Sequence, residues 1–227
     1  MSRRHPYYPI YLDLDGRLAV IVGAGEVSVR KAGSLLRCGA RVTIIGPDVH
    51  EAIDTLAAEG SVRLLRKRYD PEDLEGAAIA IAATSNPEVN QQVASDCNAR
   101  GILVNVIDDT PACDFIVPAV VESGSIQIAI STGGQSPALA RRLRHDLERI
   151  VGPEYGEVND LFGELRGAAK ESLTADDDRK RFFDRLLQTG VLELLRDGRR
   201  QDAWDEVERT CAESGVPLPA SLRARFD

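Results

Sequence analysis

The sequence predicts an α/β fold: a doubly wound parallel sheet, then a β-hairpin, then a small helical C-terminal domain. Three observations predict it. The stretch Leu18–Lys31, LAVIVGAGEVSVRK, is an apolar run, a Gly-Ala-Gly turn and the opening of a helix. Nearly all-apolar strands alternate with helices up to about residue 112, as in a parallel sheet covered on both faces. Beyond that point the alternation stops, and apolar residues recur at helical spacing among many charges.

Residues 18–22 read as the first strand and 26–38 as a helix ending at Gly39. Arg41–Ile45 is the second strand, closed by Gly46-Pro47. Glu51–Glu59 is a helix stopped by Gly60, and Val62–Leu65 a short strand. Ile79–Ala83 is a buried strand ended by Thr84-Ser85-Asn86-Pro87. Glu88–Arg100 is a helix closed by Gly101, and Leu103–Ile107 is the next strand. Phe115–Val121 and Ser125–Ile130 read as strands joined at Glu122-Ser123-Gly124. Ser136-Pro137 starts another helix. After Gly152-Pro153, helical spacing runs through Leu161 and Leu165, through Phe182 and Leu186, and through Val191, Leu194 and Leu195. The predicted domains are residues 1–112, 113–150 and 151–227.

At 227 residues the chain can hold one large domain or two modest ones. A net charge of −8 argues against nucleic acid as the main partner, but allows a local basic pocket for an anionic substrate. The four cysteines, Cys38, Cys97, Cys113 and Cys211, form no C-x-x-C pair, so no metal site is expected. Reduced thiols fit a cytoplasmic setting. The N-terminus, MSRRHPYYPIYLDLDGR, lacks the apolar core of roughly 7 to 15 residues that marks a secretory signal. No apolar run approaches the roughly 20 residues of a membrane span.

Ligands of open parallel sheets bind at the carboxyl ends of the strands. Gly23 permits the turn there. Gly25 lets the backbone approach a pyrophosphate, which the free N–H groups of the helix start would hold. Ser28 stands where a third glycine or alanine is usual. The candidate cofactor residues are Gly23, Ala24, Gly25, Glu26, Val27, Pro47, Asp48, Thr84 and Asn105. Strand two ends without the usual ribose-binding acid, and Asp48 just beyond favours NAD over NADP. Asp108 and Asp109 end a buried strand at the same face. Either can act as an acid/base, or merely cap the turn before Pro111. Ser131, Thr132, Gly133, Gly134 and Ser136 form a Gly-rich loop ahead of Arg141, Arg142 and Arg144. That pattern suits carboxylates or phosphates, and equally a capped surface helix with solvated arginines. Lys31 is a weaker basic candidate. No G-x-S-x-G, H-E-x-x-H or P-loop is present, so hydrolase and kinase readings have no support.

Four segments together, YYPIYLDLDGRLAVIVGAGEVSVRKAGSLL, IAIAATSNPEVNQQV, NVIDDTPACDFIVPAVV and IAISTGGQSPALARRLR, resemble the precorrin-2 dehydrogenase and sirohydrochlorin ferrochelatase family, the N-terminal region of sirohaem synthases. The resemblance runs from about Tyr8 to about Ile150. It implies a Rossmann-like domain at 1–112, a dimerisation and tetrapyrrole-binding region at 113–150, and NAD-dependent oxidation of precorrin-2 to sirohydrochlorin. Some members also insert ferrous iron. The family's aspartate falls on Asp108, which the resemblance makes the acid/base, with Asp109 the runner-up. Its tetrapyrrole-facing loop falls on Ser131–Pro137, with Arg141 among the cations for the substrate's carboxylates. The resemblance further implies an intertwined homodimer, which would cover the apolar face of the hairpin. No methyltransferase segment is legible, so the step that makes precorrin-2 is expected from another chain. The alternatives are a dehydrogenase without chelatase activity and a non-catalytic dinucleotide sensor.

Overall fold

The computed structural model describes residues 7–223. The basic start of the chain, on which part of the signal-peptide reading rests, and residues 224–227 lie outside the described residues. The chain forms two compact units, Met1–Val117 and Pro118–Asp227.

The first unit is built on five parallel strands. They are β1 (Leu18–Val22), β2 (Arg41–Ile45), β3 (Val62–Leu65), β4 (Ala77–Ala82) and β5 (Leu103–Val106), in the order β3-β2-β1-β4-β5. Helices α1 (Glu26–Arg37), α2 (Glu51–Ala58) and α3 (Pro87–Arg100) make the crossovers. The alternation of side chains along a strand divides the core in two. Ala19 and Ile21 of β1 pack with Ile44, Ile81, Ala32 of α1 and Ile53 of α2. Val20 and Val22 pack on the other face with Ala80, Ala82, Val104 and Val93 of α3. Ser28, Ala32 and Leu35 are the buried stripe of α1, at the spacing that keeps one face on the sheet. Short 3-10 turns at Pro71–Leu74 and Thr110–Ala112 were not legible as periodicity. The first is fixed by an Asp70–Asp73 capping box.

The second unit opens with a hairpin, β6 (Ala119–Ser123) and β7 (Ile126–Ile130). The turn is Gly124-Ser125, with Gly124 at φ +55, so Glu122 and Ser123 belong to the strand and not to the predicted turn. Phe115–Val117 is not a strand either. Pro118 has no N–H to give a ladder, and Phe115 instead packs on the parallel sheet. Helices α4 (Pro137–Glu148) and α5 (Pro153–Ser172) follow. The hairpin turn seats on α5 at Gly156, where a Cβ would lie 2.7 Å from the Ser123 carbonyl oxygen. Ser123 Oγ also donates to the Gly152 carbonyl at 2.7 Å.

Helices α6 (Asp176–Gln188), α7 (Val191–Arg196), α8 (Arg200–Ser214) and α9 (Ala220–Arg223) complete the unit. Its core gathers Leu161, Leu165, Phe182, Leu186, Trp204 and Val207. Glu154, in the first turn of α5, is buried and accepts from Arg196 Nε at 2.9 Å, which ties the end of α7 to the start of α5. Among the described residues no helix is long and apolar enough to cross a membrane.

Candidate active site

The strand register brings the first set of predicted residues to one edge. Val22 pairs with Ile45 and with Ala82, and Ala82 pairs with Val106. The ladder runs on past the strands. Gly23 N–H donates to Ile45 O at 2.7 Å, Ala83 N–H to Val22 O at 2.7 Å, and Ile107 N–H to Ala82 O at 3.0 Å. Gly23–Val27, Pro47-Asp48, Thr84 and Asp108 therefore emerge side by side at the carboxyl edge of β1, β2, β4 and β5. Strand order reverses between β1 and β4, the position where such sheets open a crevice for a ligand.

Each glycine of the turn has its own reason. Gly23 has φ +111, and a Cβ there would lie 2.3 Å from the Ala83 carbonyl oxygen. The close passage of β4 therefore excludes any side chain. Gly25 is the N-cap of α1 at φ −89, and a Cβ there would meet nothing within 4 Å. Its missing side chain leaves open surface beside the free N–H groups of the helix start, a cradle that fits a pyrophosphate. Gly46 replaces the expected acid because a Cβ would press on that of Ala24 at 2.8 Å. Asp48 and Pro47 are exposed just beyond. Arg66 and Lys67 follow β3, but they pair with Asp54 and Asp73.

Thr84 is held by Asn90, whose Oδ1 accepts from Thr84 N at 3.1 Å and lies 2.7 Å from its hydroxyl. Asn105 is 7% exposed, and its amide donates to the Phe115 carbonyl at 3.0 Å. Its side chain thus closes the chain against β5. Asp108 is exposed and has φ +60, the one positive φ outside glycine among the described residues. Its carboxylate has no hydrogen-bond or ion-pair partner among them. Asp109 is half-buried at the N-cap of Thr110–Ala112, and its side chain makes no capping bond. Burial pushes the Lys31 ammonium of α1 below its ordinary pKa, and Arg30 adds to the shift.

The second set of residues lies in the second unit. Thr132 Oγ1 accepts from Ser136 N–H at 3.2 Å and donates to Ser136 O at 3.1 Å, which closes the loop on itself. Gly133 and Gly134 turn it at φ +64 and +80. Ser131 Oγ accepts from Gly133 N–H at 3.0 Å. Ser136 caps α4, accepting from Leu139 N–H at 3.2 Å, with Pro137 next. Arg142 of α4 and Arg149 just beyond it pair with Asp146, and Arg144 pairs with Glu148. Arg141 is exposed and makes no ion pair among the described residues.

Sequence reading misses His50, Asn90 and Cys113. His50 N–H donates to Ala24 O at 2.9 Å and its Nδ1 caps α2, which fastens the glycine turn to the loop after β2. Asn90 and Cys113 act through tertiary hydrogen bonds that no local pattern announces. No group of three or more His, Cys, Asp or Glu among the described residues could hold a metal ion.

Three family models match the chain in order. An NAD(P)-binding model covers residues 10–119, and the cofactor class is a nicotinamide dinucleotide. The sirohaem biosynthesis protein central model covers 123–150, and the sirohaem synthase dimerisation region covers 154–210. The last falls on the C-terminal helices, whereas the resemblance implied dimerisation through 113–150. The siroheme synthase of Chromobacterium violaceum is 36% identical over 210 residues, 92% of this chain and 45% of that protein. That of Methylococcus capsulatus is 40% identical over 197 residues, 87% of this chain and 42% of that protein. The chain thus spans less than half the length of these curated relatives. The solved structure of SirC, precorrin-2 dehydrogenase, superposes with a TM-score of 0.73 at 25% identity, over 90% of this chain and 98% of that one.

Proposed function

Because this chain belongs to the sirohaem biosynthesis family whose models it matches in order, we propose that it oxidises precorrin-2 to sirohydrochlorin with NAD. The observation that carries the reading is one sheet edge with an open, side-chain-free helix start at Gly25 and an exposed, unpaired carboxylate at Asp108. A dinucleotide supplies the hydride acceptor. The residues of the chain do the rest. The Gly23–Val27 turn and the N–H groups of α1 hold the pyrophosphate, with Thr84 at the adjoining strand end. Asp108 takes the proton that leaves the macrocycle as the hydride departs. Two hydrogens leave the substrate, one as hydride and one as proton.

Asp48 supports NAD over NADP, since a carboxylate beyond β2 repels a 2′-phosphate. The nearby cations Arg66 and Lys67 are already paired. The carboxylate-rich tetrapyrrole is assigned to Ser131, Thr132, Gly133, Gly134 and Ser136 with Arg141, whose guanidinium makes no ion pair among the described residues. The enzyme acts as a homodimer in the cytoplasm, with the matched dimerisation region contributing the contact.

The test compares Asp108→Ala with Asp109→Ala. Asp108→Ala should lose NADH formation by about 100-fold or more while binding NAD as tightly as the wild type. Loss in Asp109→Ala with an active Asp108→Ala would refute the assignment.

A further inference from the structure

We propose that Cys113 is a positioning residue for Asp108: its buried thiol joins the backbone on both sides of Asp108 and holds that residue in its left-handed conformation. The inference rests on the reading of Asp108 as the acid/base. With no hydrogen bond to its carboxylate, only the backbone aims Asp108. That backbone, at φ +60, is unfavourable for a non-glycine residue and persists only where neighbours over-determine it.

Asp109 N–H closes the turn onto Val106 O at 3.4 Å, and Cys113, 5% exposed, braces both ends of that turn. Its sulfur accepts from Val106 N–H at 3.1 Å, and Asn105 Nδ2 approaches at 3.5 Å. It lies 3.2 Å from both Val106 O and Asp109 O, so its single proton serves either carbonyl. Val106 stands two residues before Asp108, and Asp109 one after. β5 ends the sheet, so the outward N–H of Val106 has no strand to pair with, and the sulfur satisfies it. The base of the loop is closed further along. Asp114 N–H donates to Val104 O at 2.9 Å, and Val104 N–H donates to the Asp114 carboxylate at 3.0 Å.

The test measures NADH formation by Cys113→Val, which keeps the volume but no hydrogen bond, and by Cys113→Ser, which keeps donor and acceptor. Melting temperature and NAD affinity are followed in parallel. Cys113→Val should lower kcat about tenfold or more with NAD affinity within twofold of wild type, because a misaimed acid/base costs rate and not cofactor binding. Cys113→Ser should recover kcat to within about threefold. A merely structural thiol would lower the melting temperature and leave the kcat of the folded variants unchanged, which overturns the inference. If Cys113→Val does not fold, the serine variant decides: retained kcat supports positioning by hydrogen bonds, and kcat as low as that of Asp108→Ala refutes it. Asp108→Ala separates the two readings. If it is inactive and folded Cys113→Val is fully active, the positioning role alone falls. If Asp108→Ala is active, both fall.

Discussion

Gly23 and Gly25 sit two residues apart and are glycine for unrelated reasons. Gly23 is pressed by the Ala83 carbonyl, whereas Gly25 faces open space. Their alanine variants should therefore separate stability from binding. Gly23→Ala should destabilise by about 2 kcal/mol or more, through positive φ and a backbone clash. Gly25→Ala should keep the wild-type melting temperature and weaken NAD binding about tenfold or more, because its methyl would enter the proposed pyrophosphate site. Calorimetry for stability and titration for affinity check the pair. A stable Gly23→Ala, or a Gly25→Ala with unchanged affinity, contradicts the assignments.

At the scale of elements, Ser28 is 0% exposed on the sheet-facing stripe of α1, and its hydroxyl has no partner among the described residues. Its small size keeps helix and strand close, but the orphaned hydroxyl is a cost. Ser28→Ala should raise stability by about 1 kcal/mol with NAD binding unchanged, read by urea unfolding. A loss of stability would show that the hydroxyl is satisfied after all. Burial also pushes the Cys97 thiol of α3 and the Cys211 thiol of α8 from 9.0 up to about 11. The folded protein thus keeps these protons across that window, while the unfolded chain sheds its own. The unfolded state then binds fewer protons, so stability falls as pH rises from 9 towards 11. Replacing both cysteines by alanine should flatten that decline, and an unchanged slope would count against it.

The parallel strands were legible because each is a short apolar run between glycine or proline stops, as at Arg41–Ile45 before Gly46-Pro47. The glycine turn and Asp108 were legible because chain order places them at strand ends. The thiol bonds of Cys113, the Asn90 clamp on Thr84 and the inward turn of Asn105 were not. Each depends on tertiary hydrogen bonds, and nothing in the local sequence distinguishes such a side chain from a ligand-facing one. The false strand at Phe115–Val117 has the same origin: Phe115 serves the parallel sheet and not the hairpin.

At the scale of the whole molecule, Leu139 and Leu143 share one face of α4 and both are exposed, as is Ile150. A partner chain would cover them. Sedimentation should give twice the 24.7 kDa of one chain, and a single-chain mass across micromolar concentrations would contradict the proposed homodimer. The proposed chemistry is hydride transfer from precorrin-2 to NAD, with Asp108 taking the proton. The measurement that tests it most directly is the spectrum of wild-type protein mixed with precorrin-2 and NAD. NADH and sirohydrochlorin should rise together, one for one. Binding of NAD with no NADH formed on adding precorrin-2 would contradict it.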